Sequence, residues 1–191
     1  MAEICIIDEN YVKKYTNVNG AVDSNRIYAA IYLAQDLHIE QYLGTDLWEK
    51  IKDDSADASI TGVYLTLRNE YIRKALVWFV MVELLPAMYY RQDNGSLVKR
   101  TSEDSEVIAQ SELDRLIDDA RGKALHYTKK MVDYLCHNNN SFPEYSSNSF
   151  PDTTPVKNVY GRGKMVFSTG NSVSTRKNFP YDNNYDCKWW R

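Results

Sequence analysis

Long apolar runs and cysteines are scarce in this chain of 191 residues. The longest uninterrupted apolar run, Ala75 to Val82, has eight residues, whereas a helix needs about 20 to cross a bilayer. We therefore expect no membrane-spanning segment. Cys5, Cys136 and Cys187 are odd in number and far apart, which favours reduced thiols in an intracellular protein. Glu3 stands where a secretory signal peptide carries basic charge, so we expect no such leader.

The chain also lacks an excess of positive charge. Its formal net charge is −3, which disfavours a globally basic nucleic-acid-binding protein, because phosphate neutralisation needs clustered Lys and Arg. Residues 1–145 carry 16 basic and 23 acidic residues, a net charge of −7, whereas residues 146–191 carry seven and three, a net charge of +4. Aliphatic residues are also dense only in the first part. We therefore predict a helical domain over 1–145 and an interaction tail over 146–191.

Apolar periodicity predicts a mainly α fold, a helical bundle of about four helices. Asp8 is expected to cap a brief first helix, and Asp23 or Ser24 a longer one, because their side chains accept hydrogen bonds from free amides. Gly44 is expected to end the longer helix, because glycine adopts a left-handed conformation without steric cost. The predicted buried stripe of that helix comprises Ile27, Ile31, Ala34, Leu37 and His38.

Two further helices follow a predicted acidic loop at residues 53–57. The more apolar one begins near Gly62 and is expected at the centre of the bundle, with Pro86 kinking or ending it. The other has Ser102, Ser105 or Ser111 as its N-cap and a narrow apolar seam over about three heptads. That seam comprises Leu113, Leu116, Ile117, Ala120, Ala124, Tyr127, Met131, Tyr134 and Leu135.

The tail has too few aliphatic residues to form a core of its own. Residues 164–169 have strand character, and residues 158–160 are a possible hairpin partner. An isolated two-stranded hairpin is marginally stable in water, so we predict an extended or β-hairpin tail that another protein completes. A merely disordered tail is the alternative. The residues predicted to contact the partner are Tyr160, Arg162, Lys164, Phe167, Phe179, Tyr181, Trp189 and Trp190.

No motif has the spacing of a catalytic or metal site. Gly161 to Lys164 lacks the full phosphate-loop pattern and is interpreted as a turn. The histidines and the Cys136-His137 pair lack the spacing of zinc ligands, and the acidic residues lack that of a calcium loop. We therefore predict no enzymatic activity, no cofactor and no metal. The residues weighed and interpreted as core or solvated positions are His38, His126, His137, Asp53, Asp54, Asp57, Asp118 and Asp119.

A set of short segments resembles one family of phage neck proteins. These are the head–tail connector proteins, also called adaptor or ring proteins, of crAss-like and related phages that infect Bacteroides-type hosts. The resemblance covers about residues 8 to 145 and is strongest at Tyr42–Leu47 and Phe142–Tyr145. The other matching segments are Asn17–Asn19, Val22-Asp23, Arg26-Ile27, Ala34-Gln35, His38-Ile39, Tyr71-Ile72, Glu83–Pro86, Asn94-Gly95 and Tyr134-Leu135.

This resemblance implies a structural virion protein without catalytic residues, made in the bacterial cytoplasm and placed at the head–tail neck. About twelve copies would form a homo-oligomeric ring. The ring would bind below the portal protein, extend and seal the DNA channel, and provide a platform for adjacent neck or tail proteins. Packaged DNA would pass through its lumen without specific binding, and no membrane is involved. The negative body suits such a channel wall, because acidic surfaces do not trap phosphates.

Two alternative functions stay open. The basic aromatic tail could make the protein a nucleic-acid-binding module that stacks on bases and neutralises phosphates. The chain could also be another neck component, such as a stopper or a tail-completion protein.

Overall fold

The computed structural model describes residues 4–18, 20–93, 96–99, 108–147 and 153–159, with the backbone alone for the described part of 91–99. It is mainly helical, as expected from the apolar periodicity. The α-helices are α1 (Glu9–Tyr15), α2 (Ser24–Ala34), α3 (Glu40–Leu43), α4 (Thr45–Ala56), α5 (Gly62–Thr66), α6 (Arg73–Tyr89), α7 (Gln110–His137) and α8 (Pro143–Ser147). Gln35–Ile39 and Leu67–Ile72 are π-helical, and Asn139–Ser141 is a 3₁₀ turn. Strands β1 (Tyr90–Asp93) and β2 (Ser96–Lys99) pair antiparallel.

Helix α6 is the centre of the bundle, packed extensively against both α2 and α7. Eight of its residues are buried, from Ala75 to Tyr89, which confirms the expectation that the most apolar helix lies at the centre. Pro86 does not end this helix, because it lies in the last turn, where the missing amide costs a single backbone hydrogen bond. The backbone amide of Tyr90 still donates to the carbonyl of Pro86. None of the described helices is long and apolar enough to cross a membrane.

The predicted helix ends are right where a local side chain or glycine determines them. Asp8 Oδ1 accepts a hydrogen bond from the Tyr11 amide at 3.0 Å, and Asp23 Oδ1 accepts one from the Asn25 amide at 3.0 Å. Gly44 separates α3 from α4 with φ 77° and ψ 158°, a region that L-residues with a Cβ avoid. The acidic loop predicted at residues 53–57 is wrong, because α4 continues through Ala56.

Of the three alternative N-caps predicted for α7, Ser111 is wrong, because it lies inside the helix, whereas Ser102 and Ser105 lie outside the described residues. Helix α7 begins at Gln110, with Ala109 as its N-cap. The carboxylate of Glu112 accepts a hydrogen bond from the Ala109 amide at 3.2 Å. This bond satisfies an amide at the helix start without any serine hydroxyl.

Two leucines assigned to buried stripes are exposed. Leu37 is 54% exposed, because it lies in the π-helical turn Gln35–Ile39, where the Glu40 amide donates to the Gln35 carbonyl five residues earlier. Each extra residue rotates the following side chains by about 100°, so Gln35 and Ile39 are buried in place of Leu37. Leu116 is 49% exposed at the edge of the α7 seam.

Candidate interaction surface

The eight residues predicted to contact a partner lie outside the described residues. They are Tyr160, Arg162, Lys164, Phe167, Phe179, Tyr181, Trp189 and Trp190. The glycine-rich segment Gly161 to Lys164 and the proposed strand at residues 164–169 lie outside them as well. Their role in partner contact therefore stays a prediction. Residues 153–159 are the part of the predicted tail beyond Ser147 that the structure describes, and we call them the strap.

The strap packs on the helical body near the junction of α3 and α4. The Thr153 amide donates to Thr45 Oγ1 at 3.1 Å, and the Thr45 amide donates to the Thr153 carbonyl at 3.2 Å. Thr45 is the first residue of α4, so this bond satisfies one of the amides that a helix start leaves unpaired. The Val156 amide donates to the Gln41 carbonyl at 2.9 Å. These contacts attach the strap to the body.

A second attachment lies just before the strap, at α8. Glu144 accepts a hydrogen bond from Lys50 Nζ at 2.6 Å and one from the Tyr64 hydroxyl at 2.8 Å. The Lys50 ammonium also lies 4.6 Å from the centre of the Tyr64 ring, within the range of a cation–π contact. These three residues, the Glu144 cluster, join α8 to α4 and α5. Beneath them Phe142 and Tyr145 are buried, so the end of the body belongs to its core.

The Glu144 cluster shifts the pKa values of its members in opposing directions. Burial would raise the pKa of Glu144, but hydrogen bonds from Lys50 and Tyr64 lower it below its ordinary 4.5. The hydrogen bond to Glu144 raises the pKa of Lys50. Burial, followed by the hydrogen bond to the carboxylate, raises the pKa of Tyr64. The charged forms of Glu144 and Lys50 and the neutral form of Tyr64 therefore stabilise one another.

An apolar and acidic surface lies on the outer side of α2 and the π-helical turn after it. Leu33 and Leu37 are 46% and 54% exposed, and Asp36 is exposed beside them. Glu40 follows on the next turn and is partly exposed. We call these four residues the α2 face. Val156 of the strap, 41% exposed, is bonded to Gln41, one turn beyond Leu37.

A groove runs between α7 and the end of the strap, and we call it the α7 groove. Its volume is about 550 Å³. Four α7 residues lie along it, spaced by four, three and four positions so that they share one face of the helix: Asp118, Gly122, Leu125 and Lys129. The described residues that line it are Asp118, Arg121, Gly122, Leu125, His126, Lys129 and Val159. Asp118 and Arg121 form an ion pair at 3.2 Å, and a Cβ built on Gly122 has no neighbouring atom within 4 Å.

Four of the histidines and acidic residues singled out in the sequence, His38, His126, Asp118 and Asp119, have side-chain contacts in the structure. His38 Nε2 lies 2.8 Å from Glu83 Oε1, and its ring stacks on Phe79 with centroids 4.4 Å apart. His126 lies in the α7 groove, and Asp119 pairs with Lys123 at 2.6 Å. Within the described ranges, no group of three or more His, Cys, Asp or Glu side chains is arranged to bind a metal.

Sequence reasoning missed a buried glutamine that attaches the N-terminal segment. Gln35 Oε1 accepts a hydrogen bond from the Ile6 amide at 2.8 Å, and its Nε2 donates to the Ile4 carbonyl at 3.1 Å. Gln35 is 2% exposed. The sequence indicates this residue only by its position directly after Ala34, which belongs to the predicted buried stripe. A shift of that stripe by one residue places the polar Gln35 side chain in the core. No comparable signal links Glu144 with Lys50.

Residues 39–155 match the model of DUF6712, a family of unknown function. The match covers more than half of the chain. The chain belongs to this family. No curated protein and no solved structure matches it. The matched segment begins at the last residue of the first π-helical turn and ends inside the strap, so the Glu144 cluster and the α7 lining of the groove belong to the family region.

Proposed function

We propose that this DUF6712 protein is a structural virion protein, a head–tail connector that assembles as a ring below the portal protein. The observation that supports this proposal best is the α2 face. The body buries a continuous apolar core, yet Leu33 and Leu37, four residues apart along α2 and the π-helical turn, are both exposed. Neighbouring exposed leucines on a well-packed domain are typical of a protein–protein contact.

The attachment of the chain near residue 147 supports the same function. The Glu144 cluster and the strap both bind the chain to the body just before the basic aromatic segment 160–191. Segment 160–191 therefore starts from the same point on the body in every copy. Tyr, Trp and Arg are the side chains that most often carry the binding energy of protein interfaces. In our proposal, the eight partner-binding residues named above contact the portal protein or an adjacent neck protein.

The charge of the body is compatible with passage of DNA. Residues 1–145 have a net charge of −7, and an acidic wall would let phosphates slide past without binding. In this proposal the ring extends and seals the channel and provides a platform for the next component. A ring lumen lined by Lys and Arg would contradict this part of the proposal.

The first experiment is to measure the solution mass of the full chain by light scattering, alone and with the portal protein of the same phage. Negative-stain images of any large species complete it. We expect a ring of about twelve copies, formed alone or on the portal. A chain that stays monomeric in both conditions and does not bind the portal would contradict the proposal. Binding to short oligonucleotides that weakens steeply with salt would instead favour the nucleic-acid-binding alternative.

A truncation separates the tail from the body. A chain ending after Val159 keeps the strap and the Glu144 cluster but lacks all eight predicted partner-binding residues. We expect it to fold with unchanged helix content by circular dichroism and to lose binding to the portal or the adjacent neck protein. Normal incorporation of the truncated chain into the neck would show that residues 160–191 are not the partner-binding segment.

A further inference from the structure

We infer that the α7 groove is the docking site for the α2 face of a second copy, so that copies join head to tail. This inference rests on the proposed ring function and names the two surfaces that form the ring contact. Two independent features of the groove support it. One is a glycine that neither its backbone conformation nor packing within the described residues requires, and the other is a charge pattern complementary to that of the α2 face.

Gly122 is the first feature. It lies in the interior of the 28-residue helix α7, where glycine destabilises a helix relative to alanine. Its backbone does not require glycine, because the described glycines with positive φ are Gly44 and Gly62. Packing within the described chain does not require it either, because a Cβ there would meet nothing within 4 Å. Close approach of a second polypeptide explains a glycine at this position.

Charge complementarity is the second feature. Arg121 and Lys129 lie in the α7 groove on either side of Leu125. Asp118, which pairs with Arg121 at 3.2 Å, is the acidic residue of the lining. The Lys, Arg and Asp side chains of the lining therefore carry an excess of one positive charge. On the α2 face, Asp36 and Glu40 accompany Leu33 and Leu37. Joining the two surfaces would bring acidic side chains to basic ones around an apolar centre. This is the usual arrangement of a specific protein interface.

The charge pattern also identifies the occupant as a second copy rather than the chain's own tail. Segment 160–191 begins next to Val159 at the edge of the groove, but it carries six basic and two acidic residues. Placing it in the groove would bring its net positive charge against a lining in which two basic residues, Arg121 and Lys129, outnumber the single acidic residue, Asp118. The α2 face, with Asp36 and Glu40, has the opposite sign.

The placement of the two surfaces fits a repeating contact. Helices α2 and α7 both pack on α6, and the two surfaces are different parts of one chain. A contact between unlike surfaces is heterologous, and it generates a closed ring when the rotation per copy closes. One interface of this kind is therefore sufficient to build the ring of the proposed function.

A charge swap tests the pairing directly. One variant carries Asp36→Lys and Glu40→Lys, and the other carries Arg121→Glu and Lys129→Glu. We expect each variant alone to assemble at least tenfold more weakly than the wild type, and an equimolar mixture to regain assembly, measured by light scattering in the condition where the wild type assembles. A control with Lys14→Glu and Lys52→Glu changes the net charge by the same amount as the second variant and should assemble normally. Urea unfolding checks that every variant is folded.

Gly122→Leu tests the close approach. Because a Cβ at this position meets nothing within 4 Å among the described residues, and leucine favours a helix more than glycine does, we expect unchanged or higher stability in urea. We expect assembly to be at least tenfold weaker. The inference would be overturned if Gly122→Leu assembled as well as the wild type, or if the mixture of charge-swapped variants did not assemble. Neither result would affect the ring formed by the wild type, so the proposed function would stand. A wild type that never assembles would overturn both.

A thiol probe tests the chain's own tail as the occupant. In dilute monomer we expect a Gly122→Cys side chain to react with a maleimide at the same rate in the full chain and in the chain ending after Val159. Peptide mapping distinguishes it from the native cysteines. Slow modification that becomes fast on truncation would identify segment 160–191 as the occupant and overturn the inference.

Discussion

Replacing Glu144 by glutamine tests how the end of the helical body is attached. The carboxylate accepts two hydrogen bonds, from Lys50 at 2.6 Å and from Tyr64 at 2.8 Å. Glutamine keeps the shape and one acceptor oxygen but loses the charge. A hydrogen bond to a charged group contributes about 1.5–3 kcal/mol, and this must be reduced because the Lys50 side chain is 38% exposed and solvent screens the pair.

We therefore expect Glu144→Gln to lower the free energy of unfolding by about 1–2 kcal/mol at pH 7. Urea unfolding followed by circular dichroism measures this loss. The matched control is Glu70→Gln, because Glu70 pairs with Lys74 while its side chain is 60% exposed. An exposed pair of this kind contributes about 0.5 kcal/mol or less, so the two substitutions should be clearly separated.

The difference in the free energy of unfolding between the wild type and Glu144→Gln depends on pH in a way that follows from the pKa shifts. The pKa of folded Glu144 lies below its ordinary 4.5, so its stabilising effect is present above that value and is lost as pH falls through the folded pKa. The pKa of folded Lys50 lies above its ordinary 10.5, so its effect is lost only at higher pH. The difference between wild type and Glu144→Gln should therefore be constant near neutral pH and shrink in acid. Equal stability of the two proteins at pH 7, or a difference that grows in acid, would refute this reasoning.

Two further substitutions test the backbone and the core. Gly44→Ala should lower the free energy of unfolding by about 1–3 kcal/mol, because φ 77° with ψ 158° is a conformation that alanine avoids. The control Gly20→Ala, with open space around its Cβ, should change the free energy of unfolding little. Equal effects of the two substitutions would show that the Gly44 conformation is not the cause. Phe142→Ala should lower the free energy of unfolding by about 3–5 kcal/mol, because the fully buried ring contacts that of Tyr64 with centroids 5.2 Å apart. Thermal unfolding measures this loss, with Tyr15→Ala as the control, because Tyr15 is 51% exposed. A loss no larger than that of the control would show that the end of the body lies outside the cooperative core.

Local features of the sequence predicted the parts of the fold that local chemistry determines. Asp8 and Asp23 begin helices because their carboxylates reach amides two or three residues away. Gly44 separates two helices because its backbone dihedral angles exclude other residues. The central position of α6 followed from the width of its apolar surface. Each of these effects operates within a few turns of chain and is therefore visible in a short window of sequence.

Features that depend on distant residues were not predictable in the same way. Lys50 and Glu144 are separated by 94 positions, and no periodicity within either helix marks them as partners. The exposure of Leu37 depends on a π-helical turn, which rotates the buried stripe and makes the helical pattern misleading. The unusual composition of the aromatic tail marks it as a candidate interaction surface in the sequence. The α2 face and the α7 groove have ordinary composition, and they become candidates only from the exposure and arrangement of their residues in the fold.

The strap gives the rest of the chain a fixed point of departure and therefore a limited reach. Because Thr153 and Val156 are bonded to the body, segment 160–191 is tethered at the α7 groove. Its 32 residues span at most about 110 Å when fully extended. Any partner within that radius meets the segment at a high effective concentration, whereas a partner beyond it cannot be reached. If segment 160–191 binds partners as proposed, the strap makes it select them by distance as well as by chemistry.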